Sequence, residues 1–192
     1  DAAAAVGGIV GAVRGQALPA GMHDVRWVRL DGLHLTLRFL GPTADERIGP
    51  TAAAVRRAAE AARPFTLAIA GSGTFPAGAR PRTLWLGLAD GAAAMADLAV
   101  RCGEALAEVG WARDERPFRA HLTLARSDGQ AAGPLVAARL AAAAGDRRIE
   151  TRIEHIGLFE SVTGGGPARY VPVEVVPLGP ASPVPPSVYH PT

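Results

Sequence analysis

The tetrapeptide His-Leu-Thr-Leu occurs twice in this sequence and carries the side chains best suited to chemistry. In each copy Leu alternates with a polar residue, and this period of two is typical of a β-strand. A strand points residues i and i+2 to the same face, so each copy places a His and a Thr together on one face and two Leu on the other. The repetition predicts a paired site. The two pairs are His34 with Thr36 and His121 with Thr123.

Two histidines suit general acid and base catalysis, because the ordinary pKa of an imidazole is about 6.5. One can take a proton from an attacking water while the other gives a proton to a leaving oxygen, and each role contributes about 10²–10⁴-fold in rate. Threonine hydroxyls beside them can hold the oxygens of a phosphate. Arg38 lies on the same predicted strand face as His34 and Thr36. Arg126 can add charge for the phosphate. An ideal strand points it away from His121, so it reaches the site only if the strand twists or ends there.

Other kinds of site fit the sequence less well. No carboxylate or Cys lies near either motif, and the nearest acids, Asp31 and Asp128, fall outside the motif strands, so we predict no metal. There is no glycine-rich phosphate loop and no motif for a nucleophilic Ser. All twenty Lys and Arg residues are Arg, which excludes ligation through a Lys adduct.

The remaining His and Cys residues have simpler interpretations. A structural role accounts for a single His on a strand but poorly for a matched pair. His23 lies in a predicted loop and His155 in a predicted strand, and neither belongs to a repeated motif. We therefore expect both to be structural or solvated. Cys102 falls in a predicted helix without a supporting motif, and we interpret it as a small core residue.

The elements that must position the motifs form the order helix, two strands, helix, two strands, helix, strand, helix, two strands. Paired strands between helices indicate an α+β fold with largely antiparallel sheets. An Asp-Gly turn at residues 31–32 predicts a hairpin between the first two strands. The predicted helices span residues 2–17, 44–62, 91–110 and 133–144, and the strands outside the motifs span 25–30, 65–70, 83–88, 149–159 and 169–176.

Length and composition indicate the number of domains, the classes of partner and the cellular compartment. A chain of 192 residues fits one domain or one domain with two lobes, and the formal charge of +2 excludes a polycation that coats nucleic acid. No segment reaches the length of a membrane span. A single cysteine allows no intramolecular disulfide, which favours the cytoplasm. We predict one domain over residues 1–178, followed by a proline-rich tail at 179–192.

At the motif residues the chain resembles the 2H phosphoesterase superfamily, and more narrowly the RNA 2′,3′-cyclic phosphodiesterases, once described as 2′-5′ RNA ligases. Further blocks extend the resemblance beyond the tetrapeptides to about residues 1–178. Two departures are that the family opens with a short strand ahead of the helix at which this sequence starts, and that Ala120 replaces a common Pro. The matching blocks are residues 27–28, 33–41, 75–76, 81–87, 116–119, 158–161 and 169–170.

The resemblance implies two pseudo-symmetric lobes, each an antiparallel sheet backed by helices, with the two His-x-Thr strands facing across a central cleft. It also implies metal-independent hydrolysis of RNA or nucleoside 2′,3′-cyclic phosphates to 2′-phosphates without a cofactor. By family analogy His34 is the proton donor and His121 the proton acceptor, although the near-symmetric motifs do not themselves distinguish the two. Thr36, Thr123 and Arg126 would bind the phosphate.

Two alternatives to this function stay open at the level of sequence. One is hydrolysis or formation of 2′-5′ RNA linkages, for which the same residues would serve. The other is a non-catalytic module that binds RNA ends, although binding alone would not need two titratable groups. The partners that we expect are RNA ends or nucleotides bearing a 2′,3′-cyclic phosphate, with no membrane contact, and we expect the chain to be a monomer.

Overall fold

The computed structural model describes residues 1–128, 131–164 and 166–179. Four α-helices, seven strands and one short 3₁₀ helix alternate along them. The helices are α1 (Ala2–Arg14), α2 (Asp45–Glu60), α3 (Ala92–Glu108) and α4 (Ala132–Ala144), with a 3₁₀ turn at Leu30–Gly32. The strands are β1 (Arg26–Trp27), β2 (Phe65–Phe75), β3 (Thr83–Asp90), β4 (Leu122–Arg126), β5 (Arg148–Ile153), β6 (His155–Val162) and β7 (Arg169–Pro177).

The larger sheet has five strands in the order β1-β4-β3-β2-β5, and every pair is antiparallel. Helices α1 and α4 pack against each other and cover one face of this sheet. Alternation along the strands sends leucines into the resulting core and leaves polar residues on the other face. The core takes its larger side chains from both helices and the central strands, among them Val6, Ile9, Leu67, Leu84, Leu86, Leu122, Leu124 and Leu140.

The smaller sheet is the antiparallel pair β6–β7, which packs against α2. Helix α2 in turn packs on α3, and alanines such as Ala54 and Ala58 bring the two helices close around Leu98 and Cys102. Leu178 closes this second core, and the Gly179 amide donates to the Ala59 carbonyl at 3.0 Å. The α+β class and its antiparallel sheets backed by helices are thus confirmed. The predicted tail at 179–192 lies, beyond Gly179, outside the described residues.

Two local predictions are wrong. The first motif is not a regular strand: it runs as an irregular extended segment that forms a single backbone bridge, between Leu35 and Leu122. The expected hairpin at residues 31–32 is a 3₁₀ turn, and β1 pairs with β4 instead of with the first motif. The reason is a tertiary contact. Pairing with β4, whose Leu122, Leu124 and Ala125 are buried, places Trp27 of β1 in the same core.

Other boundaries shift without changing the order. The predicted strand at residues 149–159 divides at Glu154 into β5 and β6, which belong to different sheets. Strand β2 extends through the glycines and Thr74 to Phe75, where a loop was expected. Within the part of the chain that the structure describes, every helix is too short or too polar to cross a membrane.

Candidate active site

The bridge between Leu35 and Leu122 brings the two motifs side by side in antiparallel orientation. Leu122 is buried and Leu35 packs against the same core, so both side chains face inward. Residues that flank an antiparallel pair alternate to the opposite face, in reversed order on the two chains. His34 therefore lies beside Thr123, and Thr36 lies beside His121, on the side away from the core.

Each histidine is held by a backbone carbonyl two residues before it. The Nδ1 atom of His34 lies 2.8 Å from the Gly32 oxygen, and Nδ1 of His121 lies 2.6 Å from the Arg119 oxygen. A carbonyl can only accept a hydrogen bond, so Nδ1 is the donor in both rings. In the neutral form this leaves Nε2 with a lone pair. Among the residues that the structure describes, the same local contact thus leaves Nε2 without a backbone partner in both His34 and His121.

Aromatic side chains hold both imidazole rings from the side. Tyr170 of β7 meets His34 edge to face, with ring centres 4.3 Å apart. Phe75 of β2 meets His121 in the same way at 4.9 Å, and Trp85 of β3 lies 6.2 Å from His121. We did not assign these three residues to the site from the sequence. All three lie in blocks that resemble the family (residues 75–76, 81–87 and 169–170), but the resemblance assigned them no role.

Gly73 makes room for the aromatic cluster around His121. It lies opposite Trp85 in the β2–β3 register, and the indole ring lies over it. A β-carbon at Gly73 would come within 2.3 Å of the ring, so a side chain there would displace Trp85. Trp85 also packs on Phe75, with ring centres 5.0 Å apart. Because Phe75 contacts His121 directly, Gly73 contributes indirectly to the position of that imidazole.

A β-bulge in β4 turns Arg126 toward the face that carries Thr123. In the register with β3, Trp85 pairs with Thr123 but Leu84 pairs with Ala125, which leaves Leu124 as the extra residue. Leu124 and Ala125 are both fully buried, as expected when a bulge points two successive side chains to one face. The bulge therefore removes the objection that an ideal strand would point Arg126 away from His121.

The side chain of Arg126 is exposed on this face. It lies in register with Thr83, whose hydroxyl accepts a hydrogen bond from the guanidinium at 3.4 Å. Arg26 of β1 lies opposite it and forms an ion pair with Asp128. A cation held by a long hydrogen bond to a neutral hydroxyl keeps donors available for a ligand.

Arg38 makes a contact that the sequence does not predict. Its guanidinium donates to the Ala112 carbonyl, across the chain, and so ties the first motif to the segment that precedes the second. The side chain is half-buried there. Arg38 therefore stabilises the position of the first motif relative to the segment that begins near Ala112.

A cavity of about 870 Å³ opens beside the paired motifs. Thr36 and His121, which the bridge brings together, both line it, as do Arg38 and Phe75. His34, Thr123 and Arg126 are not among its lining residues. His34 and Thr36 are exposed, while His121 and Thr123 are half-buried. The volume is within the range of about 300–1,000 Å³ usual for small-molecule sites.

The other candidates lie apart from this cavity. Cys102 is 5% exposed in the core between α2 and α3, and burial raises the pKa of its thiol to about 11. The prediction of a small core residue is confirmed. His155 is exposed at the start of β6, and His23 is exposed ahead of β1. Among residues 1–128, 131–164 and 166–179, no three His, Cys, Asp or Glu side chains cluster as metal ligands would.

Comparison with known proteins gives a consistent picture. Residues 5–165 match the model of the 2′-5′ RNA ligase superfamily. An RNA 2′,3′-cyclic phosphodiesterase of Methanothermobacter thermautotrophicus is 30% identical over 157 residues, which cover 79% of this chain and 82% of that protein. Proteins of the same name from Geobacillus stearothermophilus and Archaeoglobus fulgidus are 38% and 34% identical, over 52% and 56% of this chain. Those two matches span 32% and 58% of the relatives' own lengths.

Solved structures share the fold. Escherichia coli LigT in complex with 3′-AMP has a TM-score of 0.68 at 25% identity, covering 92% of each chain. The protein TT0787 of Thermus thermophilus also scores 0.68, at 24% identity, over 94% of this chain and 93% of that one. On the strength of the family match, which includes both motifs, the chain belongs to the 2′-5′ RNA ligase superfamily, whose members are 2H phosphoesterases.

Proposed function

We propose that the chain hydrolyses the 2′,3′-cyclic phosphate at RNA ends or on nucleosides to a 2′-phosphate. The observation that carries this proposal is the matched pair of histidines, each with Nδ1 bonded to a carbonyl and Nε2 left for proton transfer. The relatives named RNA 2′,3′-cyclic phosphodiesterase support the substrate class. The LigT complex with 3′-AMP supports a site that accepts a nucleotide.

The proposed reaction needs one proton taken and one proton given. His121 accepts a proton from water as the water oxygen bonds to phosphorus. The bond from phosphorus to the 3′ oxygen breaks, and His34, which enters this step as the imidazolium, donates its Nε2 proton to that oxygen. The product is a 2′-phosphomonoester with a free 3′ hydroxyl. The assignment of His34 as acid and His121 as base follows the family, because the local geometry of the two rings is alike.

Thr36, Thr123 and Arg126 would hold the phosphate during this exchange. The bridge supports a role for both hydroxyls, because each threonine lies beside the histidine of the other motif. Arg126 shares the face of Thr123 through the bulge, and a guanidinium stabilises charge that grows on the phosphate oxygens. No metal or cofactor is part of the proposal. We also propose that the chain acts as a monomer. A location in the cytoplasm is proposed because its single cysteine is buried and free.

The experiment that tests the function is incubation with 2′,3′-cyclic AMP in the presence of a chelator, followed by separation of the products. We expect adenosine 2′-phosphate alone. Formation of the 3′-phosphate would contradict the proposed bond cleavage, and loss of turnover on adding the chelator would contradict a metal-independent reaction.

The same assay separates the alternative activities. Cleavage or joining of a 2′-5′-linked dinucleotide, with the cyclic phosphate left intact, would support the linkage reaction. Binding of RNA ends with no turnover between about pH 5 and 8, the range in which imidazoles titrate, would support a non-catalytic module. Two imidazoles with available Nε2 atoms favour turnover, since phosphate binding alone requires donors and not proton acceptors.

A further inference from the structure

The cavity beside His121 and Thr36 is lined not only by the motifs but also by residues outside them, several of which are arginines or aromatic residues. It runs along the segment that precedes the second motif, where Arg113, Arg116 and Arg119 are exposed. Phe39, two residues after the first motif, also lines this cavity, and 78% of its surface is exposed. Phe118 completes the aromatic contribution. We call residues 113–119 together with Phe39 the arginine groove.

Charge in the arginine groove is positive. With Arg38, four arginines line the cavity, against the two acids Glu104 and Asp114; a third acid, Glu115, lies within residues 113–119 but does not line the cavity. Asp114 approaches Arg116 only at 4.0 Å, and 92% of the Arg116 side chain is exposed, so solvent screens this contact. Asp114 also accepts a hydrogen bond from the Arg116 backbone amide at 3.2 Å, which shapes the turn of the segment. The guanidinium groups of Arg113 and Arg116 thus stay available to anions.

The segment that carries these arginines is fixed at both ends. At its start, the Trp111 indole donates to the buried Thr51 hydroxyl at 2.9 Å, and the Arg47 guanidinium lies 3.8 Å from the centre of the Trp111 ring. At its end, the Arg119 carbonyl holds His121. The Arg119 guanidinium lies over the Phe75 ring at 4.9 Å. Such anchoring holds an extended, charged segment in place beside the candidate reaction centre.

Basic side chains combined with exposed aromatic rings are what single-stranded nucleic acid requires. Arginines track the phosphates, and bases stack on aromatic faces whatever their sequence. The exposed ring of Phe39 offers such a face beside the arginines. A 2′,3′-cyclic phosphate is a 3′ end, so the rest of an RNA substrate can leave the reaction centre only in the 5′ direction.

We infer that the arginine groove binds the nucleotides that lie 5′ of the cyclic phosphate, so that the chain prefers single-stranded oligoribonucleotides to mononucleotides. This inference rests on the proposed function and adds a second binding site to it. The phosphates would contact Arg113 and Arg116, and a base would stack on Phe39.

The test compares kcat/KM for 2′,3′-cyclic AMP with kcat/KM for a tetra-adenylate that ends in a 2′,3′-cyclic phosphate. We expect the tetranucleotide to be favoured by about tenfold or more, the effect of at least one stacked base. In the variant R113A/R116A the ratio should fall toward one. The matched control is R14A/R63A, which removes the same charge from exposed sites outside this cavity and should keep the ratio.

Salt and stacking give independent readouts. The dependence of log kcat/KM on log salt should become shallower by about 0.7 for each phosphate contact that R113A/R116A removes. F39A should lower the ratio without changing the salt slope. A wild-type ratio near one, or equal loss in R113A/R116A and R14A/R63A, would overturn the inference while leaving the proposed hydrolysis standing.

A binding measurement keeps the test decisive if the chain hydrolyses neither substrate. Tetra-adenylate with a 2′-phosphate end, labelled at its 5′ end, can be titrated by fluorescence anisotropy. Tighter binding than that of adenosine 2′-phosphate, lost in R113A/R116A but not in R14A/R63A, would support the arginine groove even if the proposed function failed. Equal affinity for tetra-adenylate and adenosine 2′-phosphate would contradict the inference. So would a blunt duplex that binds as tightly as the single-stranded tetra-adenylate.

Discussion

Leu35 and Leu122 form one antiparallel bridge, and this apolar pair aligns the polar side chains on either side of it. Both leucines pack on the core beneath the larger sheet. Further along the first motif segment, Leu37 and Leu40 pack on the other core. A segment held by two cores has little freedom to shift. The arrangement therefore sets His34 and Thr36 relative to the second motif without a continuous strand.

The carbonyl contacts predict the tautomer of both catalytic candidates. Because the Gly32 and Arg119 oxygens accept from Nδ1, neutral His34 and His121 should carry their proton on Nδ1. Long-range proton–nitrogen correlation spectra of ¹⁵N-labelled protein at high pH should show a protonated Nδ1 and an unprotonated Nε2 for these two rings. The exposed His155 provides the comparison, and a proton on Nε2 of either ring would contradict the geometry.

Arg126 should matter for turnover because the bulge turns it to the face of Thr123. Hydrogen bonds to charged groups contribute about 1.5–3 kcal/mol, so R126A should lower kcat/KM for 2′,3′-cyclic AMP by roughly 10- to 150-fold. R126K should retain part of the activity, since it keeps the charge but loses the forked geometry. R152A, an exposed arginine on β5, is the control. Wild-type kinetics in R126A would remove Arg126 from the phosphate site.

Tyr170 should act on His34 through its ring. The edge-to-face contact at 4.3 Å involves the aromatic system, and a β-carbon at Gly32 would meet the same ring at 3.5 Å. Aromatic pairs are worth about 0.5–1.5 kcal/mol, so Y170L should lower kcat by roughly 2- to 12-fold. Y170F keeps the ring and should behave like the wild type. Equal losses in both variants would indicate that the hydroxyl matters and not the packing.

Burial of Cys102 predicts a pH dependence of stability. Its thiol pKa rises from an ordinary 9.0 to about 11 because the core disfavours the thiolate. Below about pH 9 the thiol is neutral in both states, and its contribution to stability is complete. Between about pH 9 and 11 it ionises only in the unfolded chain, so stability falls as pH rises.

The measurement is urea unfolding of the wild type and C102A at about pH 8 and pH 10.5, on either side of the ordinary thiol pKa. The wild type should lose more stability between the two pH values than C102A, in which that titration is missing. In the native wild type at the lower pH, a thiol reagent should react slowly until urea unfolds the chain. Rapid native-state reaction would show that the thiol is accessible.

The repeated tetrapeptide predicted a paired site at His34, Thr36, His121 and Thr123, because a period of two needs no tertiary information, and the bridge between Leu35 and Leu122 lies between these residues. It did not predict how they meet. The first motif lacks the partners that would make it a strand, and the bulge at Leu124 depends on its register with β3. The carbonyls of Gly32 and Arg119 hold the rings through local backbone geometry that side-chain patterns do not encode. Tyr170 reaches His34 from a distant strand of the other sheet.

Single substitution of each motif histidine tests the central proposal most directly. In H34A and in H121A, kcat for hydrolysis of 2′,3′-cyclic AMP should fall by about 10²–10⁴-fold, the range for loss of one acid or base. Thermal unfolding should show that both variants remain folded, and H155A should match the wild type. If either H34A or H121A kept kcat within a factor of two of the wild type while folded, paired acid and base catalysis by these residues would be contradicted.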